Sequence, residues 1–200
     1  IAYFHAGMEL LRSKSMDRNS FDSGDWFNRI DWTGQDNFFG TGLPPASVNE
    51  PSWPLMRPRL ADSRLDPSPA DIAWCRGAFN DLLRIRSSST LFRLHGAAAV
   101  AERLSFLNTG PRQVPEVIVG HLLGRGYPGA NFSEILYLVN VGTGPRTLHF
   151  DGERGKHYVL HPVHRASGAT DRRAAELASY DASSGSFAVP ARTAVVFVVE

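Results

Sequence analysis

The sequence predicts a chain in two parts, a mixed α/β segment followed by an antiparallel β-sandwich. Three observations lead to this prediction. Residues 68–89 have the apolar spacing of an amphipathic helix. From about Val100 the pattern changes to short apolar runs bounded by Gly, Pro or Asn, which is typical of strands. Before the helix, about 60 residues show little periodicity. The boundary between the two parts falls near residues 93–99.

The first element is a predicted strand. Residues 1–7, "IAYFHAG", form a short apolar run that indicates a buried strand. Apolar side chains on both faces are typical of a parallel strand that is covered on both sides. Such a strand needs neighbours that this sequence does not supply, so we expect further strands upstream.

The second element is a long segment, residues 8–67, that predicts mostly irregular structure. It is dense in Gly, Pro, Asn, Asp and Ser, as in "GTGLPPASVNEPSWP". Connections are usually about 4 to 6 residues long, so one of this length is expected to be functional or disordered. Its aromatic residues favour order, because disordered linkers contain few aromatics. These residues are Trp26, Phe27, Trp32, Phe38, Phe39 and Trp53.

The third element is the helix. Ser68 suits the N-cap, Pro69 the first helical position, and Asp71 completes an approximate capping box. The predicted apolar stripe consists of Ile72, Cys75, Phe79 and Leu82, with Arg76, Asp81 and Arg84 mostly off it.

The remaining elements are predicted strands. They are "VAERLSFLN", "EVIVGHLL", "EILYLVNV", "RTLHF", "HYVLHPV" and "SFAVPARTAVVFVVE". Six or seven short strands at this spacing predict an antiparallel sandwich.

Composition excludes several classes of protein. Lys plus Arg number 21 and Asp plus Glu number 20, so bulk charge does not favour nucleic acid or an anionic membrane as a partner. A single cysteine, Cys75, excludes an internal disulfide and a cysteine-based zinc finger. The longest apolar runs, such as "AVVFVV", are far shorter than the roughly 20 residues of a membrane helix.

Three motifs do not indicate a site. "GRGYPG" matches a dinucleotide fingerprint in letters, but a predicted strand follows it where the fingerprint needs a helix. His157, His161 and His164 resemble a metal cluster, yet strand residues four apart lie roughly 13 Å from each other. We therefore expect solvent or structural histidines there. The "NFS" sequon at Asn131 has meaning only in a secreted protein.

The long segment has the residue types of a sugar-binding surface. Its charges alternate in sign, which by itself indicates a solvated surface with weak ion pairs. Aromatic rings and amides lie between the charges, namely Trp26, Asn28, Trp32, Asn37 and Trp53. Rings stack on the apolar faces of sugars, while amides, carboxylates and guanidinium groups bind hydroxyls. Carbohydrate binding is therefore one of two open interpretations.

Several stretches carry a resemblance to a known family. They are "HAGMELLRSKSMDRNSFDSGDWFNRIDW", "GTGLPPASVNEPSWPLMRPRLAD", "DLLRIRSSSTLFRL", "FLNTGPRQVPEVIV" and "VPARTAVVFV". The chain resembles the C-terminal part of pullulanase-type α-1,6-glucosidases, the pullulanase and limit dextrinase branch of glycoside hydrolase family 13. The resemblance runs over the whole chain.

The resemblance implies a fold and an activity. Residues 1–94 would be the end of a catalytic (β/α)8 TIM barrel, with strand 8, a long active-site loop and helix 8, and residues 95–200 a C-terminal β-sandwich. The full-length protein would hydrolyse α-1,6 branch linkages in a branched α-glucan by a retaining mechanism. Its catalytic carboxylates would lie on upstream strands, so no residue of this chain is expected to be catalytic and the chain alone is expected to be inactive.

The resemblance also implies substrate-binding residues. Arg18 matches an arginine that reaches glucose units, Asp17 would orient it, and Glu50 could supply a carboxylate to the cleft, although Pro51 stands where an acidic residue is usual. Trp26, Asn28 and Arg29 are interpreted as loop architecture. No cofactor is required and no metal ligand is assigned, although a structural calcium ion is possible. The expected partners are the glucan and the upstream part of the same barrel.

One position departs from the family pattern. Met8 stands where the family usually has Asp. The substitution removes a charge and either leaves an arginine unpaired or lets it pair with Glu9.

Alternative functions lie with the β-domain. It could be a structural domain, or a non-catalytic glucan-binding module with an exposed aromatic platform, or an interaction domain without a sugar function. Most of its aromatic residues fall at positions expected to be core. The compartment stays open, a plastid for a plant-like protein and the outside or surface of the cell for a bacterial one.

Overall fold

The computed structural model describes residues 2–200, which form two compact units. The first extends to Phe79 and the second spans Asn80–Glu200. The helices are α1 (Gly24–Asn28), α2 (Ala46–Asn49), α3 (Trp53–Leu60), α4 (Pro69–Ser88), α5 (Gly96–Arg103), α6 (Pro162–Arg165) and α7 (Arg172–Leu177). The strands are β1 (Leu104–Phe106), β2 (Val117–Leu123), β3 (Glu134–Asn140), β4 (Arg146–His149), β5 (Val159–Leu160), β6 (Ser179–Asp181), β7 (Ser186–Val189) and β8 (Thr193–Val199).

The predicted first strand does not form. Residue 1 lies outside the described residues, and residues 2–7 contain no strand. A strand exists only through a hydrogen-bond ladder with a neighbour. No strand in residues 2–200 pairs with this segment. Gly7 instead has a φ of 86° and precedes a 3-10 turn at Met8–Leu10.

The long segment contains more helix than the sequence predicted. Helix α3 begins at Trp53 and has Pro54 in its first turn. Proline is tolerated there because backbone N–H groups in the first turn have no partner within the helix. The helix also contains Pro58. Two indole N–H groups hold the segment in place. Trp53 Nε1 donates to the Pro44 carbonyl at 3.0 Å, and Trp26 Nε1 donates to the Thr41 carbonyl at 3.1 Å.

Helix α4 matches its prediction in extent and cap but not along its whole buried face. Asp71 accepts a hydrogen bond from Ser68 N at 2.9 Å, and Ser68 Oγ accepts one from Asp71 N at 3.2 Å, which is the predicted capping box. Leu82 is exposed, whereas Asp81 is buried and accepts from the Thr170 amide at 2.8 Å. The stripe prediction was wrong at these two positions. Asp81 can be buried because the Thr170 amide, in a loop far along the chain, donates a hydrogen bond to its carboxylate.

Two antiparallel sheets form the second unit. The strand orders are β1-β2-β3-β8-β5 and β4-β7-β6. The sheets share an apolar core, which includes Val117, Val119, Leu136, Leu138, Leu148, Phe187, Val189, Val195 and Phe197. A second cluster covers the other face of the larger sheet and includes Ile85, Leu91, Leu122, Ile135, Val196 and Val198. The central strands β3 and β8 are therefore apolar on both faces.

Two predicted strands are shorter than expected. In "VAERLSFLN" only Leu104–Phe106 pairs as β1, because the preceding alanine-rich residues form helix α5. In "HYVLHPV" only Val159–Leu160 pairs as β5, and Pro162 opens helix α6. Strand β6 was not predicted.

The three histidines are structural or solvated, as expected. His157 is exposed. His161 is buried, its Nδ1 accepts from the Val163 amide, and its Nε2 lies 3.0 Å from Ser88 Oγ. Burial, with the charges of His164 and Arg165, lowers the pKa of His161 to about 4. His164 is also buried, and its Nε2 accepts from the Val196 amide.

The aromatic residues that the sequence assigned to the β-domain core are not exposed. They are Tyr127, Phe132, Tyr137, Phe150, Tyr158, Tyr180, Phe187 and Phe197. Tyr158, Phe187 and Phe197 are buried and the other five are half-buried. Among residues 2–200, no helix combines the length and the apolar character that crossing a membrane requires.

Candidate functional site

The first unit contains a polar cavity of about 580 Å³. It is lined by His5, Arg12, Lys14, Asp17, Arg18, Asn19, Ser20, Phe21 and Asn28. All nine residues lie between positions 5 and 28. The charged part of the long segment therefore folds around a space that can hold a small polar ligand.

Ser20 and Asn28 form one wall of the cavity. Ser20 Oγ donates to Asn28 Oδ1 at 2.9 Å, and Asn28 Nδ2 donates back to the Ser20 carbonyl at 2.7 Å. Lys14 Nζ donates to the same Ser20 hydroxyl. These bonds hold the 3-10 turn Ser20–Asp22 against helix α1, so the wall is rigid.

Asn49 joins this loop to helix α2. Its side chain is buried, and its Nδ2 donates to Asp17 Oδ1 and to the Pro45 carbonyl, both at 3.0 Å. Its Oδ1 accepts from the Arg18 amide at 3.1 Å. One amide side chain thus positions both residues that the sequence analysis named first, Asp17 and Arg18. Glu50 follows directly in the chain, with an exposed side chain, but it does not line the cavity.

The Asp17 carboxylate accepts hydrogen bonds from three neighbouring residues. It accepts from the Asn19 amide at 3.1 Å and from the Ser23 hydroxyl, besides Asn49. Burial alone would raise the pKa of Asp17, but these hydrogen bonds and the Lys14 charge outweigh burial and lower it. Asp17 is therefore ionised at neutral pH and stabilises the loop.

Arg18 presents a free guanidinium group. The residue is exposed, and its side chain has no hydrogen bond or ion pair within residues 2–200. A guanidinium group carries five N–H donors in a fixed plane. Asn49 holds the Arg18 backbone at the cavity, and the donors of the side chain are not used within residues 2–200.

We predict that Asn49→Ala loosens the Asp17 and Arg18 backbone. The change leaves the Arg18 amide without its acceptor and Asp17 without one donor, at a cost of about 1–3 kcal/mol. Hydrogen exchange at the Arg18 amide should become faster. Asn19→Ala is the matched control, because the Asn19 side chain has no partner in the described residues. Equal exchange in both variants would contradict this role of Asn49.

Trp26, Asn28 and Arg29 contribute to loop architecture, in agreement with their sequence interpretation. The Arg29 guanidinium carbon lies 4.0 Å from the Trp26 ring centre and 3.8 Å from that of Phe38. At these distances both rings attract the guanidinium charge. Asp31 also has a local role, because its carboxylate accepts from Thr33, Gln35 and Asp36.

Arg12, four positions after Met8, is a partly unsatisfied arginine. Arg12 packs on Gly7 and donates to the carbonyls of Ala6 and Asn28. Its Nε is buried and has no partner in residues 2–200. Glu9 does not pair with it. Neither of the two alternatives that the sequence left open is tested by these contacts, and both stay predictions.

One cluster in the second unit has the composition of a metal site. One ligand atom each from His121, Glu134 and Glu153 lie within 4.8 Å of one another. The Lys156 ammonium group lies among them, 2.7 Å from Glu134 Oε2 and 2.9 Å from Glu153 Oε2. These residues do not fit Ca²⁺, which takes six to eight oxygen ligands, and Lys156 already supplies the positive charge.

Sequence reasoning missed Asn49 and Ser20. Both lie among Gly, Pro, Ser and Asn residues, where such side chains usually indicate only turns. Asn49 is 32 positions from Asp17 along the chain, so no local pattern could reveal its role.

Comparisons with known proteins identify the family. The family model described as "Alpha-1,6-glucosidases, pullulanase-type, C-terminal" matches residues 34–200. Pullulanase 1, chloroplastic, of Arabidopsis thaliana is 43% identical over 99% of this chain, which corresponds to 21% of that protein. Pullulanase of Klebsiella pneumoniae is 35% identical over 76% of this chain and 14% of that protein.

Solved structures give the same result. A maltotriose complex of PulA from Klebsiella pneumoniae matches with a TM-score of 0.83 and 31% identity, over 96% of this chain and 20% of that one. PulA from Klebsiella oxytoca matches with a TM-score of 0.82 and 28% identity, over 96% of this chain and 18% of that one. The chain thus spans about a fifth of the length of these relatives. On the sequence and structural matches together, the chain belongs to the pullulanase-type α-1,6-glucosidases, in the C-terminal region of that family.

Proposed function

We propose that this chain is the C-terminal portion of a debranching glycoside hydrolase that cleaves α-1,6-glucosidic linkages in pullulan, limit dextrin or amylopectin. The observation that carries the proposal is the Arg18 side chain, which lines a polar cavity with its guanidinium donors unused and its backbone held by Asn49, in a chain of this family. The related PulA from Klebsiella pneumoniae forms a complex with maltotriose, an α-glucan, which supports a branched α-glucan as the partner.

The proposed architecture explains the unpaired first segment. Residues 1–94 would complete a (β/α)8 barrel, and residues 95–200 would form its C-terminal β-sandwich. The segment at residues 2–7 would become strand 8 by pairing with upstream strands of the same barrel. The loops after barrel strands form TIM-barrel active sites, and the cavity lies in the loop that follows this segment.

The proposed role of the chain is to bind and orient substrate. A retaining glycosidase uses two carboxyl groups about 5 Å apart, one as nucleophile and one as general acid. We assign both, and the third aspartate that stabilises the transition state, to upstream strands. Asp17 and Asp31 are held by loop hydrogen bonds instead. Arg18 would donate to glucose hydroxyls, Asp17 would keep the loop in place, and Glu50 would accept from hydroxyls at the edge of the cleft.

We predict that Arg18→Ala, in the complete polypeptide that contains this chain, raises the KM for pullulan by about 10- to 100-fold. Hydrogen bonds from a charged donor contribute about 1.5–3 kcal/mol each. Release of reducing ends measures the rate. Arg125→Ala is the matched control, because Arg125 is an exposed arginine in the second unit.

The same assay tests whether the catalytic groups lie upstream of this chain. Residues 1–200 alone should release no reducing ends from a branched glucan. Release by this chain alone would contradict the upstream assignment of the catalytic groups. An unchanged KM in Arg18→Ala would remove Arg18 from the proposed binding site.

A further inference from the structure

We propose that Phe21 is a stacking platform for a glucosyl ring and, with Arg18 and Asn19, determines the affinity of the site for α-glucan chains. The proposal rests on the function proposed above and assigns one further specificity-determining residue to the same cavity.

The cavity residues fall into two groups. Five of them hold the walls through hydrogen bonds within the chain, namely Arg12, Lys14, Asp17, Ser20 and Asn28. The side chains of the other four have no hydrogen bond, ion pair or ring contact within residues 2–200, namely His5, Arg18, Asn19 and Phe21. The free group consists of an aromatic ring, a guanidinium group, an amide and an imidazole.

Phe21 is the apolar member of the free group. Its side chain is 83% exposed although it lines the cavity. Burying a phenylalanine side chain is favourable, so a ring that stays exposed forgoes a contribution to stability. A ligand that covers this ring recovers that contribution on binding.

The backbone on both sides of Phe21 is held in place. Ser20 is bonded to Lys14 and Asn28, and Ser23 donates to Asp17. The ring is therefore presented from a preorganised turn, which lowers the entropy lost when a ligand binds.

The free groups suit a neutral sugar better than an anion. The other two cations in the cavity, Arg12 and Lys14, already donate to Asn28 and Ser20. One free guanidinium group, one amide and one imidazole remain for hydroxyl groups, and the ring matches the apolar C–H face of a hexose. The volume of about 580 Å³ lies within the range of small-molecule sites.

The test measures maltotriose binding by calorimetry and initial rates on pullulan, using the complete polypeptide. Phe21→Ala should weaken maltotriose binding by about 10- to 100-fold and raise KM with little change in kcat. Phe21→Tyr and Phe21→Trp keep a ring and should stay within about threefold of the wild type. Phe21→Leu keeps apolar area without a ring face and should resemble Phe21→Ala.

Phe106→Ala is the matched control, because Phe106 is 51% exposed on strand β1 in the other unit. If Phe21→Ala lowers stability while affinity and KM stay at wild-type values, the ring has only a packing role. The inference about Phe21 then fails, and the proposed function is not affected. If the wild-type polypeptide neither binds maltotriose nor cleaves pullulan, the proposed function fails and the inference fails with it.

Discussion

Phe187→Ala is expected to lower the free energy of unfolding of the second unit by about 3–5 kcal/mol. Phe187 is fully buried in the core that the two sheets share. Its ring centre lies 4.7 Å from that of Tyr180, 5.3 Å from that of Phe197 and 5.4 Å from that of Tyr158. Removing the ring leaves a cavity among side chains from both sheets, and the surrounding backbone is hydrogen-bonded on either side and cannot collapse fully.

Urea unfolding followed by far-UV circular dichroism measures this loss. The four tryptophans all lie in the first unit, so their fluorescence does not report on this core. Phe106→Ala removes the same side chain from an exposed position and should cost less than about 1 kcal/mol. Equal losses in the two variants would show that Phe187 does not join the sheets as described.

Lys156→Met is expected to destabilise the second unit by about 3–5 kcal/mol, because it leaves the buried carboxylate of Glu153 and the half-buried carboxylate of Glu134 without their cation. Glu153 and Tyr158 are buried, and the Tyr158 hydroxyl oxygen lies 2.8 Å from a Glu153 oxygen and 3.0 Å from a Glu134 oxygen, so that the two carboxylates share its single proton. His121 Nε2 lies 2.7 Å from the same Glu134 oxygen. Lys156 is the one ammonium group shared by the two carboxylates, so removing it leaves both Glu134 and Glu153 without a cation.

The effect of Lys156→Met should depend on pH. In the wild type, burial alone would raise the pKa of Glu134, but hydrogen bonds from Lys156, His121 and Tyr158 outweigh it and lower the pKa below 4.5. Glu134 therefore contributes stability above that value, and the contribution is lost as the pH falls through the folded-state pKa. Without Lys156 the two carboxylates repel each other, and the pKa of Glu134, which Lys156 lowers, should rise. Protonation then relieves the repulsion, so the difference from wild type should be largest near pH 7 and shrink in acid.

Urea unfolding at neutral and acidic pH tests whether the difference from wild type shrinks in acid. Arg154→Met is the control, because its ion pair with Asp151 is exposed, with side-chain exposures of 54% and 80%. Such a pair contributes less than about 1 kcal/mol. If the loss in free energy of unfolding caused by Lys156→Met is the same at both pH values, the loss does not come from the charges of the carboxylates.

The candidate site was only partly predictable from the sequence. Arg18 and Asp17 were named because their motif resembles a family, and the structure brings them together at the cavity. Asn28 was named from the sequence as loop architecture, whereas the roles of Ser20, its partner in the cavity wall, and of Asn49, which positions the loop, became visible only in three dimensions. Glu50 lies next to Asn49 in the chain but outside the cavity lining, so its contact with substrate stays a prediction.

Elements with local signals could be predicted from the amino-acid sequence. Helix α4 begins and ends close to where its capping box and apolar spacing placed it. Strands β2, β3 and β8 formed where short apolar runs lie between Gly, Pro and Asn. These patterns suffice because helix caps and strand alternation depend on residues only a few positions apart.

Features that depend on distant partners emerged only in the folded chain. Residues 2–7 have strand-like side chains but no neighbouring strand within residues 2–200 to pair with. Asp81 is buried because Thr170 donates to it from 89 positions away. Asn49 bonds to Asp17 across 32 positions, and Lys156 reaches Glu134 across 22. A hydrogen bond between such distant residues leaves no periodic signal in the sequence, because its geometry exists only after the intervening chain has folded.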